Sequence, residues 1–292
     1  MKIGIIGGSG LYELDNLQNI EPVVVETPFG SPSDSYMHGI IDNRDIYFLP
    51  RHARGHKILP SEINHKANIF GFKKLGVECV LSVSAVGSLR ENLNPRDIVL
   101  PDQYYDRTKK SLEHTFFGNG IVGHVAFGNP SCSVLRDVIA ESANEEIAST
   151  VDEEYPQVIE GGTYVNMEGP AFSTRAESNA YRSMGFDIIG MTSLPEAKLC
   201  REAEICYQAM AMITDYDCWH EGEEDVNVEM LIEHLRANTK RAKSILKILI
   251  PKIPEERTCA CGTALATALM TDKQTIPSDL LKAMKPIIGK YM

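Results

Sequence analysis

Apolar residues fall into short, nearly continuous runs that alternate with longer stretches of helical period. The runs cover 2–6, 22–26, 44–50, 79–85, 97–101, 163–168, 188–191 and 206–214. Several, such as 46–49 and 209–213, are unbroken rather than alternating, as expected of strands covered on both faces. Between them, 60–75, 132–148, 175–184, 194–203 and 228–250 carry apolar positions at the spacing of a helix that buries one stripe. Strand then helix, repeated, predicts an α/β fold of layers. No internal repeat or low-complexity linker divides residues 1–292, so the pattern predicts a single domain. Ligands of such folds sit beyond the carboxyl ends of strands, which directs attention to the residues following each run.

The first run ends in Gly7-Gly8-Ser9-Gly10. Glycines there let backbone N–H groups approach an anion, and serve equally as a tight turn without ligand. A dinucleotide fingerprint counted from Gly8 and Gly10 needs a third glycine where Glu13 stands, and no lysine follows as a P-loop requires. The third run leads into Arg51-His52-Ala53-Arg54-Gly55-His56, four potentially cationic side chains in an acidic protein. A guanidinium can fork onto two oxyanion oxygens and an imidazole can add a donor; a solvated basic loop is the plainer alternative. The run at 79–85 passes into hydroxyls and glycine (Ser84, Ala85, Gly87, Ser88), and the one at 188–191 into Met191-Thr192. Hydroxyls at strand ends can line a phosphate site or close a packed turn.

The sharpest signal is Thr214-Asp215-Tyr216-Asp217-Cys218-Trp219. Asp215 and Asp217, two apart at the end of an apolar run, face one side if extended geometry continues, and burying unpartnered carboxylates is costly. Desolvation and mutual repulsion can leave a proton on one of them for donation to a leaving group; a solvent-facing turn or helix cap is the alternative. Anion-binding strand ends opposite paired acids suit cleavage of a glycosidic bond by phosphate. There the departing base needs a proton while positive charge develops on the sugar, and no metal is called for.

Charge and cysteine usage narrow the setting. A net charge of −11 and a pI near 5.3 repel nucleic acid and anionic membrane surfaces, though a local basic pocket can still take a small anion. No apolar stretch is long enough to span a bilayer, and the acidic residues soon after Met1 do not suit a secretory leader, so a cytoplasmic protein is expected. Seven cysteines are too sparse for a disulfide scaffold, and no Cys-x-x-Cys pair argues for structural zinc; the only close pair is Cys259-Ala260-Cys261.

Taken together these stretches resemble the 5′-methylthioadenosine phosphorylases, a branch of the trimeric purine nucleoside phosphorylase family. The resemblance rests on 2–10, 27–30, Arg51-His52, 87–90, 97–99, 168–170, Phe172-Ser173, 175–177, Met191-Thr192 and 214–219, in consistent order; residues 251–292 match least. It implies a purine nucleoside phosphorylase-like fold, a single domain with a central mixed sheet flanked by helices, and phosphorolysis of 5′-deoxy-5′-methylthioadenosine to adenine and 5-methylthioribose 1-phosphate. Phosphate is the co-substrate, with no cofactor or metal. The implied phosphate ligands are Ser9, where many relatives have Thr, with Arg51, His52, Ser84, the backbone of Ala85, and Thr192. Met191 would contact the ribose, and Phe172 and Ser173 would border the purine. Asp215 and Asp217 would face N7 and the 6-amino group, with Asp215 the donor to N7. Val228 and Leu231 would shape the methylthio pocket, and His124 would reach into a neighbouring subunit's site, implying a homotrimer or a dimer of trimers. Oxidised pairs, Cys132 with Cys206 and Cys259 with Cys261, are a further implication; reduced buried thiols are the alternative. The rival functions are the same chemistry on methylthioinosine or adenosine, a non-catalytic purine nucleoside sensor, and a dinucleotide-dependent dehydrogenase, already weakened by Glu13.

Overall fold

The structure, a computed structural model, describes residues 1–8, 11, 17–150, 156–220 and 228–292, without the side chains of 111 and 228–231. Eleven strands are β1 (Lys2–Gly7), β2 (Gln18–Val23), β3 (Tyr36–Ile41), β4 (Arg44–Pro50), β5 (Val77–Ser88), β6 (Ile98–Leu100), β7 (Gln103–Asp106), β8 (Val158–Glu160), β9 (Thr163–Asn166), β10 (Ile188–Gly190) and β11 (Cys206–Asp215). The helices are α1 (His65–Lys74), α2 (Ser133–Ser149), α3 (Arg175–Ser183), α4 (Ser193–Glu202), α5 (Val228–Lys252), α6 (Ser278–Ala283) and α7 (Lys285–Ile288), with short 3₁₀ turns between. The expected mixed sheet flanked by helices is therefore present. The long apolar runs became its central strands: β1, β4, β5 and β11 are almost wholly buried. The 22–26 run was expected to be a strand, but β2 ends at Val23.

One branch in the sheet creates the cleft. Along one edge of β5, β11 pairs in parallel from Cys79 to Gly87. The opposite edge is shared: β1 pairs in parallel only as far as Ser82, and β10 joins antiparallel only at Gly87 and Ser88. Val83 to Val86 thus lack a strand partner on that edge, and their main-chain groups are left for side chains or a ligand, since buried backbone polar groups must be satisfied. The Val83 carbonyl is taken by the Arg51 guanidinium, at 3.1 Å.

Among the described residues the core includes two large apolar clusters on either side of the sheet and two smaller ones. Of the large ones, the first is built around Ile3, Ile5, Leu81, Leu135, Ile139, Met210 and Ile245–Ile250, the second around Ile69, Phe70, Phe72, Tyr207 and Leu199. The C-terminal segment belongs to the second through Leu265, Ile276, Met284, Ile287 and Ile288. The sequence reading resolved this segment least, and its packing shows why: its elements are short and rest on residues distant along the chain, the Leu265 N–H donating to Glu204 and the Val122 N–H to Thr271.

Candidate active site

Where β5 is unpaired, a cleft with a cavity volume of ≈ 290 Å³ opens between β4, β5, β10, β11 and α5. Arg51, His52, Ser84, Ala85, Met191, Thr192, Phe172, Asp215 and Asp217 all line it, so residues 166 positions apart meet as the sequence reading expected. An adjoining hollow shares Arg51, His52, Ser84 and Ala85 and continues to Gly8, Leu11 and Asn238. Ser173 lies just behind the wall: its carbonyl accepts the Cys218 thiol and its hydroxyl sits 3.9 Å from Met167 Sδ. Ser9 lies outside the described residues, as do the side chains of Val228 and Leu231, which fall in the first turn of α5. Four residues beyond Leu231, on the same helix stripe, Leu235 lines the cleft. His124 is exposed and does not line it; its N–H donates to the Ala268 carbonyl.

Arg51 carries its charge into the protein. It is only 3% exposed, and its Nε donates to Glu196 Oε1 at 2.6 Å, its Nη1 to the Val83 carbonyl and its Nη2 to Ser82 Oγ at 2.8 Å. The fork that the sequence reading offered to a phosphate instead closes on Glu196, with Nη2 3.4 Å from Oε2. Ser82 and Tyr207 hydroxyls also donate to Oε2, at 2.6 and 3.0 Å. Burial works to raise the Glu196 pKa, but the adjacent guanidinium outweighs it and holds the carboxyl below its usual range. A guanidinium has five N–H groups, so these bonds leave one on Nη1 for a ligand among the described residues. Arg54 of the same motif does not reach the cleft; it forks onto Asp34 at 2.8 and 3.1 Å.

His52 is uncharged near neutrality. Burial and the Arg51 charge pull its pKa down to about 4. Its Nδ1 lies 2.8 Å from the Ile58 carbonyl, an assignment that puts the proton on Nδ1 and the lone pair on Nε2. The ring stacks on His56 with centroids 4.5 Å apart. Ser84 Oγ is buried with no protein partner among the described residues, a costly state unless a ligand accepts from it. Thr192 precedes the first residue of α4, yet its hydroxyl makes no capping bond, so it and the positive end of the helix dipole face the same space.

The other end is acidic. Thr214 Oγ1 lies 2.7 Å from Asp215 Oδ2 and 3.3 Å from the Val86 carbonyl, and the Asp217 N–H donates to Asp215 Oδ1 at 2.8 Å. An N–H donation of this kind favours an ionised carboxylate. Asp217 differs: its Oδ2 is buried without a partner among the described residues, and burial, reinforced by the Asp215 charge and opposed by the nearby Ser178 and Ser173 hydroxyls and the Cys218 N–H, raises its pKa. Its φ of 53° is rare for a residue with a Cβ, a strain held by the Asp217–Trp219 turn. Trp219 Nε1 anchors that turn on the Ser88 carbonyl at 2.7 Å. Gly87 keeps the space open, since a Cβ there would meet Asp215 Oδ1 at 3.1 Å and Asp217 Cβ at 3.4 Å. Gly169, at φ +71°, lets the 168–170 loop close over Met191, whose sulfur would lie 2.5 Å from a Cβ.

The sequence reading missed Glu196, Leu235 and Asn238. Leu235 and Asn238 were open to discovery, because they continue the stripe of Val228 and Leu231 at helical spacing. Glu196 had one weak signal, a lone carboxylate in the apolar first turn after Thr192.

The phosphorylase superfamily model matches residues 2–251. An S-methyl-5′-thioadenosine phosphorylase of Geobacter sulfurreducens is 52% identical over 290 residues, covering 99% of both chains. The crystal structure of a methylthioadenosine phosphorylase from an antarctic soil metagenomic library superposes with a TM-score of 0.92 at 42% identity, covering 98% of each chain. A variant of the adenosine/methylthioadenosine phosphorylase of Schistosoma mansoni, solved in complex with methylthioadenosine, gives a TM-score of 0.81 at 35% identity, over 91% of this chain and 96% of that one. The chain thus belongs to the phosphorylase superfamily and, within it, to the family of the S-methyl-5′-thioadenosine phosphorylases.

Proposed function

We propose that this cleft carries out phosphorolysis of 5′-deoxy-5′-methylthioadenosine, releasing adenine and 5-methylthioribose 1-phosphate. The observation that carries the reading is the pairing, in one cleft, of an orphaned Ser84 hydroxyl beside Arg51 and Thr192 with an orphaned Asp217 carboxyl oxygen. Phosphate would occupy the first end, accepting from the remaining Arg51 N–H, Ser84, Thr192 and the Ala85 main chain, with Ser9 completing the set. Hydrogenphosphate would give its own O–H to the His52 Nε2 lone pair, leaving its other oxygens for the donors. The anion then attacks C1′ as positive charge develops on the sugar, over Met191. No cofactor enters this scheme.

At the other end, a single proton shared by two carboxyls matches the edge of adenine, where N7 accepts and the 6-amino group donates. The sequence reading gave the N7 proton to Asp215. We assign Asp215, which accepts the Asp217 N–H, to the 6-amino group, and Asp217, whose pKa burial raises, to N7, the pair titrating as a unit. A 6-oxo purine would set oxygen against Asp215 and be rejected. Phe172, 72% exposed at the cleft mouth, would close over the base. Leu235 and Pro60, with Val228 and Leu231, would receive the methylthio end.

The test is spectroscopic release of adenine from methylthioadenosine: phosphate-dependent release is expected, and binding without release would leave a nucleoside sensor. Replacing N7 by carbon should give a ligand that binds and is not cleaved. His124, exposed away from its own cleft, would serve that of a neighbouring copy in a homotrimer, which sedimentation would show as three chains.

A further inference from the structure

Far from the cleft, Cys132, Cys206, Cys259 and Cys261 bring their four sulfurs within 4.8 Å of one another. They come from three separate places in the chain: the residue preceding α2, the first residue of β11, and the Cys-x-Cys segment after α5. Cys132, Cys206 and Cys261 are buried and Cys259 is half-buried, so the group has one side open to solvent for an ion to enter. We propose that these four cysteines form a tetrahedral zinc site that fastens the C-terminal segment to β11 and α2.

Four ligands at Zn–S distances of about 2.3 Å place tetrahedral sulfurs roughly 3.8 Å apart, and Cys206 Sγ already stands 3.3 Å from Cys259 Sγ. Disulfides would join the four in two separate pairs; here each of the four sulfurs lies within reach of the other three. Thiols serving only as small apolar side chains would have no cause to meet sulfur to sulfur from three segments in the Leu135–Ile139 core. Cys132 also stands at the start of α2, where the positive end of the helix dipole favours a thiolate. Binding would release up to four thiol protons to solvent, the 2+ ion bonding to the four thiolates and leaving a net charge of 2− on the centre. Cys206 and Asp215 lie at opposite ends of β11, nine residues or roughly 30 Å apart at strand rise, so the site is structural and independent of the proposed reaction.

The test is metal analysis of untagged full-length protein, together with the cobalt-loaded spectrum. One zinc per chain is expected, and cobalt(II) should give the intense visible bands of a tetrahedral tetrathiolate. Cys259→Ala and Cys261→Ala should each cut metal content to below about a fifth, whereas Cys79→Ala, a buried cysteine outside the group, should keep it. Zinc retained by both variants would overturn the proposal. So would seven titratable thiols in a metal-free denatured chain that takes up no added zinc on refolding, or fewer than seven before reduction, which would mean disulfides.

Discussion

The two ends of the cleft face the same low dielectric and solve it in opposite ways. At the phosphate end a full positive charge is buried, and the protein supplies Glu196 to neutralise it, with Ser82 and Tyr207 filling the carboxylate's remaining positions. At the base end the protein supplies Asp217 with no counter-charge, so burial is relieved by keeping a proton to higher pH than an ordinary carboxyl would. The first arrangement holds donors in place before phosphate arrives, which costs no reorganisation during reaction. The second keeps a transferable proton. The comparison teaches that buried ionisable groups in one site need not have one role: a paired charge fixes geometry, and an unpaired one stores reactivity.

The comparison is broken most severely at its acid end. Asp217→Ala should lower kcat for methylthioadenosine about 10²–10⁴-fold, the scale of a lost general acid, with the KM for phosphate nearly unchanged; steady-state kinetics in both substrates checks this. The same group sets the pH dependence: the active form is protonated, so kcat should fall as pH rises through the raised Asp217 pKa, and Asp217→Asn should abolish that limb. Next in size is Glu196→Ala, which strands the Arg51 charge and should cost about 3–5 kcal/mol by denaturant unfolding. Because the Glu196 pKa is lowered, the stability it contributes is present above the unfolded carboxyl value and is lost as pH falls through the folded one. Smaller again, Asp215→Asn turns an acceptor into a donor and should shift the kcat/KM ratio of 6-oxo to 6-amino substrates by about 1–3 kcal/mol, the range of a matched base-edge contact. The mildest is Ser84→Ala: removing a hydroxyl buried without a partner among the described residues should slightly raise the stability of the ligand-free protein and raise the phosphate KM by roughly 1 kcal/mol, or about fivefold.

How much of this could be read from the chain depends on distance along it. β1, β4, β5 and β11 announced themselves because strands covered on both faces need unbroken apolar runs. The strands β3, β7 and β8 did not: β3 mixes His38 and Gly39 into its pattern, β7 is a largely exposed stretch of polar and aromatic residues, and β8 has three residues. The aspartate pair was legible because acids at the end of an apolar run are expensive and need a reason. Glu196 was not, since its justification lies 145 residues away in Arg51. The cysteines fail to advertise themselves for the same cause: only Cys259 and Cys261 are neighbours, and no spacing rule reveals that Cys132 and Cys206 meet them. The separate functions proposed for Asp215 and Asp217 arise from an amide and a turn that composition cannot display.

The central claim, that Asp217 holds a proton against the purine, is tested most directly by infrared difference spectroscopy of the complex with methylthioadenosine at pH 7 in the absence of phosphate. A carboxylic-acid C=O band is predicted that disappears in Asp217→Asn and persists in Asp215→Asn, apart from any contribution of Glu202, whose pKa burial raises to about 7 and which both variants keep. A spectrum in which Asp217→Asn removes only an ionised carboxylate band would contradict the account.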